Sequence, residues 1–97
     1  MRSTRRAVHR SDANASPMLT LARKLGLLVE VIGRPVDWLM WDGTGWFPVE
    51  IKAQRGTYTK DQKAFLGDCA ARNAPVLTWR SEQQIIEYCN TIRQALR

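Results

Sequence analysis

Two acids and a lysine stand out in this chain because they interrupt apolar, strand-like sequence. Glu50 and Lys52 are separated only by Ile51, and Asp37 lies in an earlier apolar run. Burying an unpaired charge costs several kcal/mol, so strand residues of this type need a compensating partner. A divalent metal held by the two carboxylates is one such partner, and the lysine would then stand beside a phosphate group that the metal activates.

A β-hairpin is the element that would bring these residues together. Residues 42–45, Asp-Gly-Thr-Gly, are typical of a turn between two strands. With the turn centred there, the numbers of paired residues sum to about 87, so Asp37 falls opposite Glu50. Lys52 then points to the same face as Glu50, because strand side chains alternate. A three-residue loop would shift the register by one residue and separate the faces.

Such a pair of carboxylates is suited to Mg²⁺ or Mn²⁺. Two carboxylates repel by ~4 kcal/mol at ~4 Å and an effective dielectric constant of ~20. A cation between them makes the electrostatic interaction energy favourable. Mg²⁺ takes one or two protein carboxylates, and the Ile51 carbonyl could add a ligand. The metal would supply hydroxide for attack on phosphorus, while Lys52 orients the water or stabilises the transition state. The alternative is a salt bridge between Glu50 and Lys52 on a solvated strand face.

The remaining sequence predicts the order α-β-β-β-α-β-α, and therefore an α/β fold. Helical spacing ends at Gly26, and strands are expected over residues 27–32, 36–41, 46–53 and 75–79. Thr59 and Ser81 each begin a capping-box pattern that opens a helix. Two sets of side chains are expected to pack inward, one in the middle helix and one along a side of the last: Phe65, Leu66, Cys69 and Ala70, and Ile85, Ile86, Cys89, Ile92 and Leu96.

The chain is basic, with a net charge of +6 over 97 residues. This length predicts one domain, and the charge favours a polyanionic partner, most simply nucleic acid. Residues 1–10 read as a flexible basic arm ahead of a single domain over residues 11–97. Candidate phosphate contacts, which would bind DNA without sequence preference, are Arg5, Arg6, Arg10, Arg34, Arg55, Lys60 and Lys63. An ordinary solvated surface is the alternative.

The sequence also bears on the compartment. No apolar run approaches the ~20 residues of a membrane span, and the N-terminus lacks the apolar region of a signal peptide. Cys69 and Cys89 lie in helical segments without metal-ligand spacing, so reduced thiols and a cytoplasmic location are expected. An organelle transit peptide is a less favoured interpretation of the short, acid-poor N-terminus.

Together these motifs resemble the PD-(D/E)xK nucleases. Pro35-Val36-Asp37 followed by Glu50-Ile51-Lys52 is similar to the family signature. Residues 56–66 resemble the G-x-L-(S/T)-x-x-Q-x-x-F segment of the VRR-NUC branch and its phage-type relatives, small nucleases related to Holliday junction resolvases. Residues 74–81 resemble their later strand, and residues 10–14 the opening of small phage members. The resemblance covers most of residues 10–90.

The resemblance implies a restriction-endonuclease-like core with a mixed central sheet, metal ligands at Asp37 and Glu50, a catalytic Lys52 and a supporting Gln62. It implies a Mg²⁺-dependent (or Mn²⁺-dependent) endonuclease acting on branched or structured DNA, such as a Holliday junction or a flap. For a phage protein the compartment would be the host cytoplasm. Gln62 also fits the N3 position of the capping box, and one residue can serve both roles.

One departure from the family pattern keeps other functions open. Many members carry a glutamate on the first helix, whereas residues 14–26 contain no acid. Asp12, His9, Asn14 or a second chain would have to substitute. The alternatives are a non-catalytic DNA-binding or assembly module on a degenerate nuclease fold and, third, a small structural or interaction protein.

The four tryptophans are many for a chain of this length. Trp38 should face away from Asp37 into the core, whereas Trp41 and Trp46 flank the turn and are expected to be exposed. Packing in the core or in a dimer is favoured over base stacking for these rings. Spare aromatics beside a small core favour a homodimer, which would offer two active sites to a two-strand substrate.

Overall fold

The computed structural model describes residues 15–96, which contain three helices and four strands in the predicted order. An α/β fold is therefore confirmed. The elements are α1 (Ala15–Lys24), β1 (Leu28–Val31), β2 (Trp38–Trp41), β3 (Trp46–Ile51), α2 (Lys60–Ala71), β4 (Leu77–Trp79) and α3 (Glu82–Ala95). Across this part of the chain, no helix is both long and apolar enough to cross a membrane.

The four strands form one mixed sheet in the order β1-β2-β3-β4. The β1–β2 and β2–β3 pairs are antiparallel, and β3–β4 is parallel. Trp38 pairs with Val49 and Trp41 with Trp46, which is the register predicted for the hairpin. The turn accommodates Gly43 at a φ of 96°, a left-handed conformation that favours glycine.

The strands are shorter than predicted, and Asp37 and Lys52 lie just beyond their ends. The Asp37 carbonyl accepts hydrogen bonds from the backbone N–H groups of Ile32 (2.9 Å) and Gly33 (3.1 Å), which closes the β1–β2 connection. Beyond β3, the Lys52 N–H still donates to the Trp79 carbonyl at 3.0 Å. Both residues are therefore held by backbone hydrogen bonds rather than placed on free loops.

One face of the sheet packs against α1 and α3 and forms the hydrophobic core. The α1 and α3 side chains in this core include Met18, Ala22, Ile85 and Cys89. The sheet contributes Val29, Trp38, Met40, Val49, Ile51 and Trp79. Burying a large apolar side chain contributes ~1.5–3 kcal/mol, so this face supplies most of the stabilisation. The predicted burial of Trp38 is confirmed, and its ring packs edge-on against Trp79 at 6.2 Å.

The predicted burial of α2 is wrong. No residue of this helix is buried: Phe65, Leu66 and Cys69 are only half-buried, and Ala70 is exposed. The physical reason is position, because the first turn of α2 lies beside Glu50, on the sheet face opposite the core. In α3, Ile85 and Cys89 are buried as expected, but Leu96 lies beyond the helix end and is exposed.

β1 is an edge strand with an exposed apolar surface. Leu28 and Val31 are both exposed, and among residues 15–96 only β2 pairs with this strand. Arg23 of α1 reaches the strand, and its Nη2 donates to the Val29 carbonyl at 2.9 Å. The guanidinium thus occupies one of the backbone acceptors of the edge.

Candidate functional site

Asp37 links β2 to the end of β3. Its Oδ2 accepts a hydrogen bond from the Ile51 N–H at 2.7 Å, and its backbone closes the β1–β2 connection. The observed ladder ends at the Trp38–Val49 pair, one residue before Asp37 and Glu50, so the pairing of these two acids stays a prediction. Asp37 thus contacts the N–H group of Ile51, whereas the predicted metal ligand is the carbonyl group of Ile51.

Glu50 and Lys52 form a buried ion pair rather than a solvated one. Glu50 is 1% exposed and Lys52 is 5% exposed, and Lys52 Nζ lies 3.6 Å from Glu50 Oε2. The other carboxylate oxygen, Oε1, is buried as well. Removing one partner from a buried pair is strongly destabilising, because the remaining charge stays in the interior. The alternative of a solvated strand salt bridge therefore does not fit the structure.

Gln62 joins this pair from α2. Its Nε2 donates to Glu50 Oε2 at 2.7 Å, so the same oxygen contacts both the amide and the lysine. Its Oε1 accepts from the Thr59 N–H at 3.0 Å, and its own N–H donates to Thr59 Oγ1 at 3.2 Å. The predicted capping box is confirmed, and one side chain makes both the cap and the contact with Glu50. At the second predicted box, Ser81 caps Gln84, but the Gln84 side chain accepts from the Arg80 N–H instead.

Tyr58 and Arg80 support Lys52, and neither was singled out from the sequence as a site residue. The Lys52 ammonium lies 5.5 Å from the centre of the Tyr58 ring, within the range of a cation–π interaction. The Tyr58 hydroxyl bonds Thr78 Oγ1 at 2.7 Å. Arg80 Nη1 donates to the carbonyls of Ala53 (2.9 Å) and Gly56 (2.7 Å), which fixes the loop that follows Lys52.

The parallel pairing of β3 with β4 explains how these residues come to the site. Thr78 pairs with Glu50 and so shares its face, and Arg80 follows two residues later. A strand was predicted over residues 75–79, which include Thr78 and end just before Arg80. The position of this strand beside β3 could not be predicted from local sequence.

Four of the predicted basic residues are described, and these are exposed and lie on segments that flank the site. Arg34 is in the β1–β2 connection, Arg55 in the loop after Lys52, and Lys60 and Lys63 in the first turn of α2. The predictions for Arg5, Arg6 and Arg10, and for the basic arm as a whole, fall outside the described residues.

The donors at the site fit a hard divalent cation. Asp37, just before β2, and Glu50, on β3, carry carboxylates, and oxygen donors of this kind suit Mg²⁺ or Mn²⁺. Within residues 15–96, no group of three or more His, Cys, Asp or Glu side chains is arranged to hold a metal. Water and substrate oxygens would complete such a coordination shell.

A second polar cluster ties the hairpin turn to α3. Asp42 Oδ1 accepts from the Thr44 N–H (2.7 Å), the Thr44 hydroxyl (2.6 Å) and the Gly45 N–H (3.1 Å), and Oδ2 accepts from the Tyr88 hydroxyl. Burial raises the Asp42 pKa, but the hydrogen bonds from Thr44, Tyr88 and Gly45 outweigh it, so the pKa lies below its ordinary value. Burial, and then Asp42, raise the pKa of Tyr88. This cluster is structural, and it lies apart from Lys52.

No family model, curated protein or solved structure matches the chain. The resemblance to PD-(D/E)xK nucleases therefore stays a prediction from motifs, and the functional argument depends on the geometry of residues 15–96.

Proposed function

We propose that this protein is a divalent-metal-dependent endonuclease that hydrolyses phosphodiester bonds in branched or structured DNA. The supporting observation is the convergence on one buried carboxylate: Glu50 Oε2 contacts both Gln62 Nε2 at 2.7 Å and Lys52 Nζ at 3.6 Å. Asp37 lies just before the adjacent strand, and its Oδ2 accepts a hydrogen bond from the Ile51 N–H. These are the four side chains that the sequence assigned to catalysis.

Each of these residues has a distinct role in the proposal. Asp37 and Glu50, with the Ile51 carbonyl, would hold Mg²⁺ or Mn²⁺. When bound, such a metal activates water and neutralises charge on a phosphate group. Lys52 places a cation where negative charge develops on the phosphate oxygens, and a desolvated cation is more effective there than a solvated one. Gln62 fixes the orientation of Glu50 through its amide.

Binding of the polyanion would use the exposed basic residues around the site. The net charge of +6 gives DNA a long-range attraction to the protein. Arg34, Arg55, Lys60 and Lys63 flank the acids, so a strand that reaches Glu50 would pass within reach of their side chains.

The direct test is cleavage of a Holliday junction, a flap and a duplex in Mg²⁺ or Mn²⁺. We expect cleavage of at least one branched substrate and its loss in Lys52→Ala and Asp37→Asn. Lys24→Ala, an exposed lysine on α1, is the matched control and should cleave normally. Circular dichroism establishes that each variant is folded. Absence of cleavage of any substrate, or equal cleavage by folded Lys52→Ala, contradicts the proposal.

A non-catalytic DNA-binding or assembly module is the second candidate. Two observations favour it: α1 carries no acid, and residues 15–96 contain no group of three or more His, Cys, Asp or Glu side chains arranged to hold a metal. Calorimetry with Mg²⁺ and Mn²⁺ distinguishes the two functions. No heat of metal binding, together with salt-dependent DNA binding, supports the module. Absence of DNA binding at low salt would instead favour a structural or interaction protein.

A homodimer remains part of the proposal. It would supply two active sites for the two strands of a branched substrate. Sedimentation analysis of the full chain measures the mass, and a monomer at micromolar concentration in the presence of DNA would exclude this arrangement.

A further inference from the structure

A row of apolar side chains lies on the same face of the sheet as Glu50. Directly paired residues of antiparallel strands share a face, so Leu28, Trp41 and Trp46 lie side by side across β1, β2 and β3. Their exposed fractions are 50%, 37% and 49%, and the two indole rings are 5.6 Å apart. Contiguous exposed apolar surface of this kind marks a binding site more often than scattered single residues do.

This row is continuous with the candidate site. Leu39 and Pro48 form the next pair on the same face, and Glu50, two residues beyond Pro48 on β3, shares that face. Four residues along a strand separate Trp46 from Glu50, or about 13 Å at ~3.3 Å per residue. A ligand held at the acids can therefore extend over the row, which we call the stacking row: Leu28, Leu39, Trp41, Trp46 and Pro48.

The charges on this face indicate which part of a nucleic acid the row would contact. The stacking row contains no lysine or arginine, and the charged residue beside it is Glu30, which pairs with Leu39. Arg34, Arg55, Lys60 and Lys63 lie on segments at the acidic end instead. Phosphates are therefore favoured at that end, whereas flat apolar rings suit nucleobases.

We propose that the stacking row binds unpaired bases of a single-stranded DNA segment whose phosphodiester backbone continues to Asp37 and Glu50. This inference rests on the proposed function and narrows its substrate to DNA with a single-stranded region. Bases within a duplex are stacked on one another and cannot lie on the exposed faces of Trp41 and Trp46. Base–aromatic stacking is also tolerant of sequence, since every base has a π face.

The test is DNA binding by the full chain in EDTA, where no cleavage occurs. The probes are a fluorescein-labelled oligothymidylate and a labelled duplex of the same length, followed by anisotropy. We expect Trp46→Ala to weaken oligothymidylate binding about fivefold or more, because one stacked base contributes ~1 kcal/mol at the least. Duplex affinity should be unchanged. Trp46→Phe retains a ring and should keep most of the affinity, and Leu96→Ala, an exposed residue on α3's end, is the control.

Four results overturn the inference. One is equal loss of single-strand and duplex affinity in Trp46→Ala, and another is no loss of either. The third is a change from dimer to monomer in sedimentation of Trp46→Ala with DNA affinity unchanged, which would assign the row to a second copy of the chain. Failure of the wild-type protein to bind oligothymidylate also overturns it.

The proposed function is judged separately, by cleavage in Mg²⁺ or Mn²⁺. Cleavage without ring-dependent single-strand binding removes only this inference. Ring-dependent binding without cleavage removes only the enzymatic proposal and favours the non-catalytic module.

Discussion

Gln62 uses both atoms of its amide, and this makes its substitution informative. Oε1 completes the cap of α2 at Thr59, while Nε2 holds Glu50. Gln62→Glu keeps the acceptor for the cap but replaces the donor with a second carboxylate beside Glu50. Gln62→Ala removes both contacts. The two variants therefore separate the capping role from the contact with Glu50.

We expect Gln62→Ala to lower the free energy of unfolding by about 1–2 kcal/mol, from loss of the cap and of one buried hydrogen bond. Gln62→Glu should be less stable than Gln62→Ala at pH 7, because two carboxylates repel. This difference should narrow at pH 5, since protonating one carboxyl removes the repulsion and restores a donor. Urea denaturation at both pH values is the measurement, and equal stability of the two variants throughout would contradict the expectation.

The buried Glu50–Lys52 pair gives a second prediction for single residues. Lys52→Met should destabilise the fold by about 3–5 kcal/mol, because it removes the buried cation that lies 3.6 Å from the Glu50 carboxylate. Adding Glu50→Gln should recover much of this loss, since no charge then remains buried. Urea denaturation of both single variants and the double variant gives the coupling energy. Additive losses would show that the two side chains do not stabilise each other.

Among the elements, the hairpin turn and α3 are joined by the hydrogen bond between Tyr88 and Asp42. We expect Tyr88→Phe to cost about 1–2 kcal/mol at neutral pH, because the Asp42 carboxylate loses a donor while the ring contact with Trp79 remains. Burial and Asp42 both raise the folded-state pKa of Tyr88. The contribution of the Tyr88 hydroxyl to the free energy of unfolding is therefore complete below about pH 10, the ordinary tyrosine pKa. It is lost as pH rises through the higher folded-state pKa.

On the acid side the sign is reversed. The folded-state pKa of Asp42 is lowered, so its contribution is complete above its ordinary value of 3.8 and is lost as pH falls through the lower folded-state value. The stability difference between wild type and Tyr88→Phe should thus be largest between these limits and shrink toward both. Thermal unfolding across the pH range measures it, and a difference independent of pH would rule out the hydrogen bond as its source.

These elements also show what local sequence can predict. The hairpin register followed from the turn residues and the alternation of the strands, and the α2 start from Thr59 and Gln62. The exposure of α2 could not be predicted in this way, because apolar spacing predicts a packing face but not whether another element covers that face. Tyr58 and Arg80 were missed for a similar reason: their contacts depend on the parallel crossover that brings β4 beside β3.

At the scale of the whole molecule, the net charge of +6 predicts strongly salt-dependent DNA binding. Replacing Arg5, Arg6 and Arg10 with glutamine should reduce the slope of log K against log salt by about 2–3, if each contacts one phosphate. Thermal unfolding of the variant, measured alongside, establishes that it is folded. Anisotropy titrations at several salt concentrations measure the slope. Arg93→Gln, on α3, is the control. An equal change of the salt slope per residue in this variant would indicate a general effect of net charge rather than phosphate contacts by residues 1–10.

The contact between Arg23 and the Val29 carbonyl has a consequence for how the protein behaves when concentrated. An open strand edge next to exposed apolar residues such as Leu28 and Val31 is a template onto which another molecule can add its own strand, and repeated addition produces fibrils. A bulky cation bonded to this edge obstructs the first such addition. We therefore expect Arg23 to protect the colloidal stability of the protein, at a position remote from Lys52.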